Sequence, residues 1–430
     1  MTFLNEMSCP RLSLTLRAAG LLGACCAMAT ALAAAPPSAE DYQANWPRFR
    51  GPTGGGVSSQ ANLPLTCDVD SGANIAWTAP VPAAGYSSPV VWGSRIFLSG
   101  GDKGKAVVMC FDVASGKLLW QQAVPKADGA AEPPEAADLA ASTVATDGQR
   151  VYAIFANGDL AAFNFDGSTV WSKHLGVPKN QYGHATSLVT WQDRVIVQLD
   201  QGEPDDRLSK LYAFDGASGK VVWEQPRPAG ASWATPLVFE VAGKPQIVAL
   251  AVPWVIAYSA QDGQEIWRAN DLDGEVTPSP IFAGGTLFIV SPASKLQAIR
   301  PDGQGDVTKT HLGWVGEDGI PDITSPVSNG ELVFVVDSSG TLTCYDAKTG
   351  RKQWEHDLGD EVKASPSIAG KTLYLITKKG TLIAVEAARQ FKELGRSELN
   401  EEVFASLAFA QGKIIIRGMK HLFCLGAKGK

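Results

Sequence analysis

A small polar residue, usually followed by proline or an aliphatic, recurs eight times in this 430-residue chain, and this constrains its folding more than any other feature. The steps are Ser88-Pro89, Ser142-Thr143, Ser187-Leu188, Thr235-Pro236, Ser279-Pro280, Ser325-Pro326, Ser365-Pro366 and Ser406-Leu407. They lie 54, 45, 48, 44, 46, 40 and 41 residues apart, a period that belongs to repeat architectures. Each step opens an apolar segment, and a second one rich in Val, Ile, Phe and Tyr follows it (95–98, 151–155, 195–199, 287–290, 332–336 and 373–376). Length, β-branching and flanking turns predict that these are strands.

A third strand then runs into a turn of consistent chemistry: Phe111-Asp112-Val113-Ala114-Ser115-Gly116, Phe214-Asp215-Gly216-Ala217-Ser218-Gly219 and Tyr345-Asp346-Ala347-Lys348-Thr349-Gly350. The Asp can accept from turn amides and the Gly supplies a positive φ, which predicts a tight hairpin. A Trp follows shortly after, at Trp120, Trp171, Trp223, Trp267 and Trp354, with Trp314 displaced by a longer insert. One Trp per repeat at one register suits packing of the outer strand on the next repeat better than a ligand cage. Four strands per unit, eight times over, predict an all-β, eight-bladed β-propeller. The last repeat ends before a fourth strand, while Asn74-Ile75-Ala76-Trp77 is an orphan strand carrying the missing Trp. That strand is expected to complete blade eight beside Phe423-Cys424-Leu425 and remove the open edge. The domain plan is a leader over 1–35, an N-terminal arm over 36–72 and the propeller over 73–430.

The pattern of an aromatic or aliphatic residue, Asp, two residues, Ser/Thr-Gly-Lys/Arg, two residues and Trp resembles the pyrroloquinoline-quinone-type propeller repeat. Quinoprotein dehydrogenases share that repeat with the outer-membrane assembly lipoprotein of the Bam complex. Asn45-Trp46-Pro47-Arg48-Phe49-Arg50-Gly51-Pro52, Gly55-Gly56-Val57-Ser58 and Ser87-Ser88-Pro89-Val90-Val91-Trp92 are similar to the N-terminal signature of secreted members. Three repeats depart from the pattern: blade two has a shortened Phe165-Asp166-Gly167 turn, blade five has Arg300-Pro301-Asp302-Gly303 plus an insert, and blade seven has neither turn Gly nor Trp. The resemblance implies fold more than activity.

Arg11 and Arg17 precede an apolar run from Ala18 to Ala35 that ends in small residues, the form of an export signal. Leu22-Gly23-Ala24-Cys25 resembles a lipobox, which would make Cys25 a lipidation site; because the apolar run continues past Cys25, simple cleavage is expected instead. No later stretch is long and apolar enough to span a bilayer. A net charge of -7 argues against nucleic acid as a partner, since phosphate neutralisation needs a basic face. Beyond the leader only Cys67, Cys110, Cys344 and Cys424 remain, too few for a disulfide framework. The expectation is a monomer in the periplasm or outside the cell, with an outer-membrane lipoprotein as the lesser alternative.

Quinone chemistry of the kind the resemblance implies would need an adjacent Cys-Cys disulfide, a carboxylate base and Glu/Asn/Asp ligands for calcium. The sole adjacent pair, Cys25-Cys26, lies in the leader. Pyrroloquinoline quinone with calcium is therefore not expected, and no other cofactor or metal is. His174, His184, His311, His356 and His421 are scattered without metal-ligand spacing, and no catalytic residue emerges. Cys110, Cys344 and Cys424 hold one strand position in three blades and read as buried filler.

A surface remains. Loops from each outer strand to the next inner strand share one face, and several are acidic: Asp271, Asp273, Glu275; Glu317, Asp318, Asp322; Asp360, Glu361; Glu401, Glu402. These predict a solvated rim, or, functionally, attraction of a cation or basic partner. Just before the inner strands, Tyr86, His184, Trp233, Ile323, Lys363 and Phe404 are expected at the channel mouth as candidate binding residues. The arm is expected to lie along the ring and bury Trp46 and Phe49. The sequence thus reads as an exported propeller scaffold without catalysis, binding an envelope protein or small ligand. A quinone-dependent oxidoreductase and a lipidated outer-membrane assembly factor are the alternatives.

Overall fold

A computed structural model of the chain describes residues 37–102, 105–125 and 132–427. The leader and Cys25 fall outside the described residues. The repeat period becomes eight four-stranded antiparallel blades in a ring. In blade one the strands run Val90–Trp92, Arg95–Asp102, Lys105–Asp112 and Leu118–Ala123, from the channel outward. Blades two to seven begin at Ala145–Thr146, Val189–Trp191, Leu237–Val241, Ile281–Ala283, Val327–Ser328 and Ser367–Ala369. In blade eight the chain supplies Ala408–Ala410, Lys413–Arg417 and His421–Leu425, and Ile75–Pro80 adds the outer strand. Trp77 pairs with Cys424 and Thr78 with Phe423, the closure that the orphan strand predicts.

The middle strands carry near-continuous apolar runs because both faces of each blade are buried against neighbours. Phe97, Val108 and Cys110 of blade one form one cluster with Val151, Phe155 and Phe163 of blade two, and comparable clusters fill the other junctions. The core is therefore a ring of interfaces between repeats.

The recurring Ser/Thr step closes a second ring around the channel. The backbone N–H of Ser88 donates to Thr143 Oγ1 at 2.9 Å, that of Thr143 to Ser187 Oγ at 3.0 Å, and so on through Thr235, Ser279, Ser325, Ser365 and Ser406. The N–H of Ser406 donates to Ser88 Oγ at 3.0 Å and completes the circle. In blade two the ring residue is Thr143, one place after the Ser142 at which the repeat was counted. Ser142 instead donates its hydroxyl to the His184 carbonyl.

The Trp and the turn Gly of the repeat prove to be two halves of one contact. Trp77 donates its indole N–H to the Val113 carbonyl of blade one at 2.9 Å, and the same bond joins Trp120 to Phe165, Trp171 to Gly216, Trp314 to Ala347 and Trp354 to Ala388. A Cβ at Gly116 would lie 2.5 Å from the Trp77 ring, and one at Gly350 2.4 Å from Trp314. Gly is thus required there both by its positive φ and by the neighbour's indole. Trp314 keeps the common register, since the insert preceding it is spent on Gly305–Asp306, which pairs in parallel with the outer strand of blade four. Facing the altered turn of blade five, Trp267 bonds Gln246 of its own blade instead.

The arm crosses the channel on the face opposite the long loops. A short helix, Ala39–Ala44, capped by Ser38, leads to Trp46, which bonds Val91 of blade one in both directions. Pro47 accepts from Thr146 of blade two. The chain then reaches blade seven, where Val57–Ser58 lies parallel to Ile368–Ala369. Between these anchors Trp46 and Arg50 are buried, and half-buried Phe49 stands at the end of the channel. Arg50 donates to the Gly55 and Pro366 carbonyls, and burial pushes its guanidinium down to about 9. The amide of Cys67 donates to Ser397 on the outer strand of blade seven, the blade without a Trp.

Candidate functional site

With one end of the channel crossed by the arm, the other end is the place where another molecule can enter. Side chains of a strand alternate, so the residues two before the Ser/Thr ring point into the channel as well. They are Tyr86, Ala141, Ala185, Trp233, Thr277, Ile323, Lys363 and Phe404, and all eight line the channel cavity. Above them a cavity of about 460 Å³ opens among Tyr86, Asp138, Tyr182, Trp233, Glu275 and Ile323, with Ala136 and Pro292 on its walls.

Aromatic pairs flank this mouth. The rings of Tyr86 and Phe404 are 4.7 Å apart, and those of Tyr182 and Trp233 meet edge-on at 5.1 Å. Tyr86, Tyr182 and Ile323 each keep more than a third of their surface in solvent, while Trp233 is 9% exposed and its indole N–H has no acceptor. Behind Tyr86, the buried guanidinium of Arg417 donates to the carbonyls of Ala83, Ser87 and Ser99, tying blade eight to blade one. Burial raises the Asp138 carboxyl from its ordinary value, opposed by the Ala140 amide and by Arg417.

The structure brings together Tyr86, Trp233, Ile323, Lys363 and Phe404 but not His184. That residue is one place out of register, with Ala185 on the channel, so its ring turns into the protein and is 3% exposed. Burial pushes the imidazole down to about 4, and neither ring nitrogen has a partner. Tyr182 and Asp138 complete the mouth. Sequence reasoning misses them because they lie in connections whose length differs from blade to blade.

The acidic arc is largely paired. Asp271 meets Lys295 at 2.5 Å, Asp318 meets Lys352 at 3.1 Å, Asp360 meets Lys379 at 3.1 Å and Glu361 meets Lys378 at 3.3 Å. Glu401 holds His421 at 2.6 Å and also accepts from the Lys420 and His421 amides. Asp273 accepts from the Gly274 amide. Two of the arc's carboxylates, Glu275 and Asp322, face the mouth cavity; Glu317 and Glu402 do not line it.

Among the described residues no three His, Cys, Asp or Glu side chains converge as a metal site. The four described cysteines are free and buried, and burial pushes the thiols of Cys110, Cys344 and Cys424 up to about 12. Among the described residues lining the mouth, the three carboxylates do not converge as a calcium-binding set and no cysteine stands with them.

A family model described as outer membrane protein assembly factor BamB matches residues 57–203, 207–307 and 309–390. Among curated proteins, outer membrane protein assembly factor BamB of Alkalilimnicola ehrlichii is 27% identical over 217 residues, covering 50% of this chain and 51% of its own. That of Yersinia pestis is 32% identical over 129 residues, covering 29% and 32%. The chain spans about half the length of the former and a third of the latter. Among solved structures, BamB from Moraxella catarrhalis aligns with a TM-score of 0.61 at 14% identity, over 82% of this chain and 99% of that one. A europium-containing methanol dehydrogenase gives a TM-score of 0.70 at 11% identity, over 90% and 99%. Identities this low speak for a shared fold alone.

Proposed function

The chain belongs to the outer membrane protein assembly factor BamB family, and from that premise we propose that it is an exported, non-catalytic scaffold that holds another envelope polypeptide at its open mouth. One observation supports this most: the channel is crossed by the protein's own arm at one end and widens at the other into an aromatic-lined cavity of about 460 Å³. Aromatic side chains offer large rigid contact area at little entropic cost, which suits a protein partner. Tyr86, Trp233, Lys363 and Phe404 are the residues assigned to that contact, and Tyr182 joins them.

The test is a photo-crosslinking amino acid placed at Tyr86 in the producing cell, with Val222 on the outer strand of blade three as the control position. Adducts with envelope proteins from position 86, lost on Trp233→Ala, are expected. Adducts from position 222 alone would refute the assignment of the mouth. An outer-membrane lipoprotein form would carry acyl groups on Cys25, which mass spectrometry of the mature N-terminus reads directly. A quinone-dependent oxidoreductase would need a converging calcium-ligand set and a cysteine pair, which the residues lining the mouth do not offer; a thermal shift with pyrroloquinoline quinone and Ca²⁺ would restore it.

A further inference from the structure

We propose that the mouth cavity is a receptor for a cationic side chain, a lysine or arginine presented on an extended segment of the partner polypeptide. This rests on the reading of the mouth as the partner's site and adds what the site selects. Among the described residues lining the cavity the charged ones are Asp138, Glu275 and Asp322, all carboxylates. Unlike Asp271, Asp318, Asp360 and Glu361, which lysines pair, these three accept hydrogen bonds only from neutral donors. Asp138 takes the Ala140 amide at 2.8 Å, Glu275 takes Gln181 Nε2 at 2.7 Å, and Asp322 takes the Ser338 hydroxyl. Arg417 offsets part of the Asp138 charge from behind the mouth, but no cation pairs Glu275 or Asp322 among the described residues, and carboxylates around one apolar cavity raise a field that a cation relieves.

The remaining walls match the other parts of such a side chain. Ile323, Ala136 and Pro292 offer apolar surface to its methylene stem, as amphipathic basic side chains require. Tyr86, Tyr182 and Trp233 present aromatic surface to the charged head. Deeper in the channel stands Lys363, which does not line this upper cavity and repels a cation that goes further. Trp233 separates a polypeptide from a free amine. It lines the cavity and is 9% exposed, and its buried indole N–H has no acceptor within the protein. A backbone carbonyl beside the bound side chain supplies one; a polyamine does not.

The experiment uses the mature full chain and short fluorescent peptides, capped at both ends and identical except at one central position: lysine, arginine, norleucine or glutamate. Binding is read by anisotropy, with spermidine as competitor. Lysine and arginine peptides are expected to bind about tenfold or more tightly than the norleucine peptide. That advantage is expected to shrink as salt is raised and to vanish in Glu275→Gln/Asp322→Asn. Spermidine is expected to compete weakly, and Trp233→Phe to cost the lysine peptide affinity without changing its advantage over norleucine. Equal binding of the norleucine peptide, or a lysine advantage that survives Glu275→Gln/Asp322→Asn, would overturn the inference. So would full competition by spermidine, or no peptide binding at all. The Tyr86 crosslinks are independent of these readouts: if they persist, the scaffold reading stands and only the cation receptor falls; if they fail too, both fall.

Discussion

Replacing Ser88 by alanine tests whether the hydroxyl ring holds the propeller closed. Ser88 Oγ accepts the Ser406 N–H at 3.0 Å, across the junction where blade eight meets blade one, and Ser406 is 4% exposed. Alanine removes one oxygen and strands that buried donor, which costs about 1–3 kcal/mol. Against a net stability of about 5–15 kcal/mol the loss is large. In heat it is nearly invisible: an unfolding entropy of about 2.1 cal/mol/K per residue over roughly 350 residues turns 2 kcal/mol into about 3 °C. Urea titration of tryptophan fluorescence is the better assay. With a slope above about 3 kcal/mol/M for a chain of this size, the midpoint is expected to fall by a few tenths molar at unchanged slope. Ser88→Thr is the control, because threonine does the same work at Thr143 and Thr235, and it is expected to stay near the parent. A Ser88→Ala midpoint equal to the parent's, or a Ser88→Thr midpoint as low as alanine's, would show that the ring selects small residues for fit and owes nothing to the hydroxyl.

Trp77→Ala removes an indole that packs on blade one and donates to Val113, so a loss toward the lower end of the about 3–5 kcal/mol of Trp truncations is expected, with limited proteolysis cutting first before Ile75. Arg227 and Asp200 form a fully buried pair at 2.7 Å, with Tyr258 on the same guanidinium. Arg227→Met alone is expected to cost about 3–5 kcal/mol by leaving a buried carboxylate, and Asp200→Leu with Arg227→Met to recover most of it in urea titrations. Burial holds the His184 imidazole down to about 4 from its ordinary 6.5. The unfolded chain therefore takes up the proton first: the stability from a neutral His184 is complete above pH 6.5 and drains as pH falls towards 4, by about 2 kcal/mol at pH 5. His184→Leu is expected to flatten that part of the stability-pH curve, and an unchanged slope would contradict the assignment.

What was legible in the sequence was whatever recurs with the period. The Ser/Thr ring and the Trp-on-turn contact each need the same residue at the same place in successive blades, so their spacing alone gave the blade count and the closing strand. Single positions were less secure, because Ser142-Thr143 and the run from Gly183 to Ser187 contain several small or polar neighbours. There only the two-residue alternation counted back from the ring decides that Thr143 and Ala185 face the channel and that His184 does not. In the acidic arc the sequence shows the carboxylates without their partners: Lys295, Lys352, Lys378 and Lys379 sit on later segments, and the fold alone lays them over the carboxylates. Asp138 and Tyr182 lie on non-repeating connections, where no period speaks. The two channel rings make the physical distinction plain. At the lower ring, where blade must join blade, every residue is Ser or Thr; two residues higher they are Tyr, Ala, Ala, Trp, Thr, Ile, Lys and Phe. The upper ring lies beyond the hydroxyl bonds that impose the repeat, so its residues are free to differ, and the proposed recognition of one partner segment requires such an asymmetric mouth.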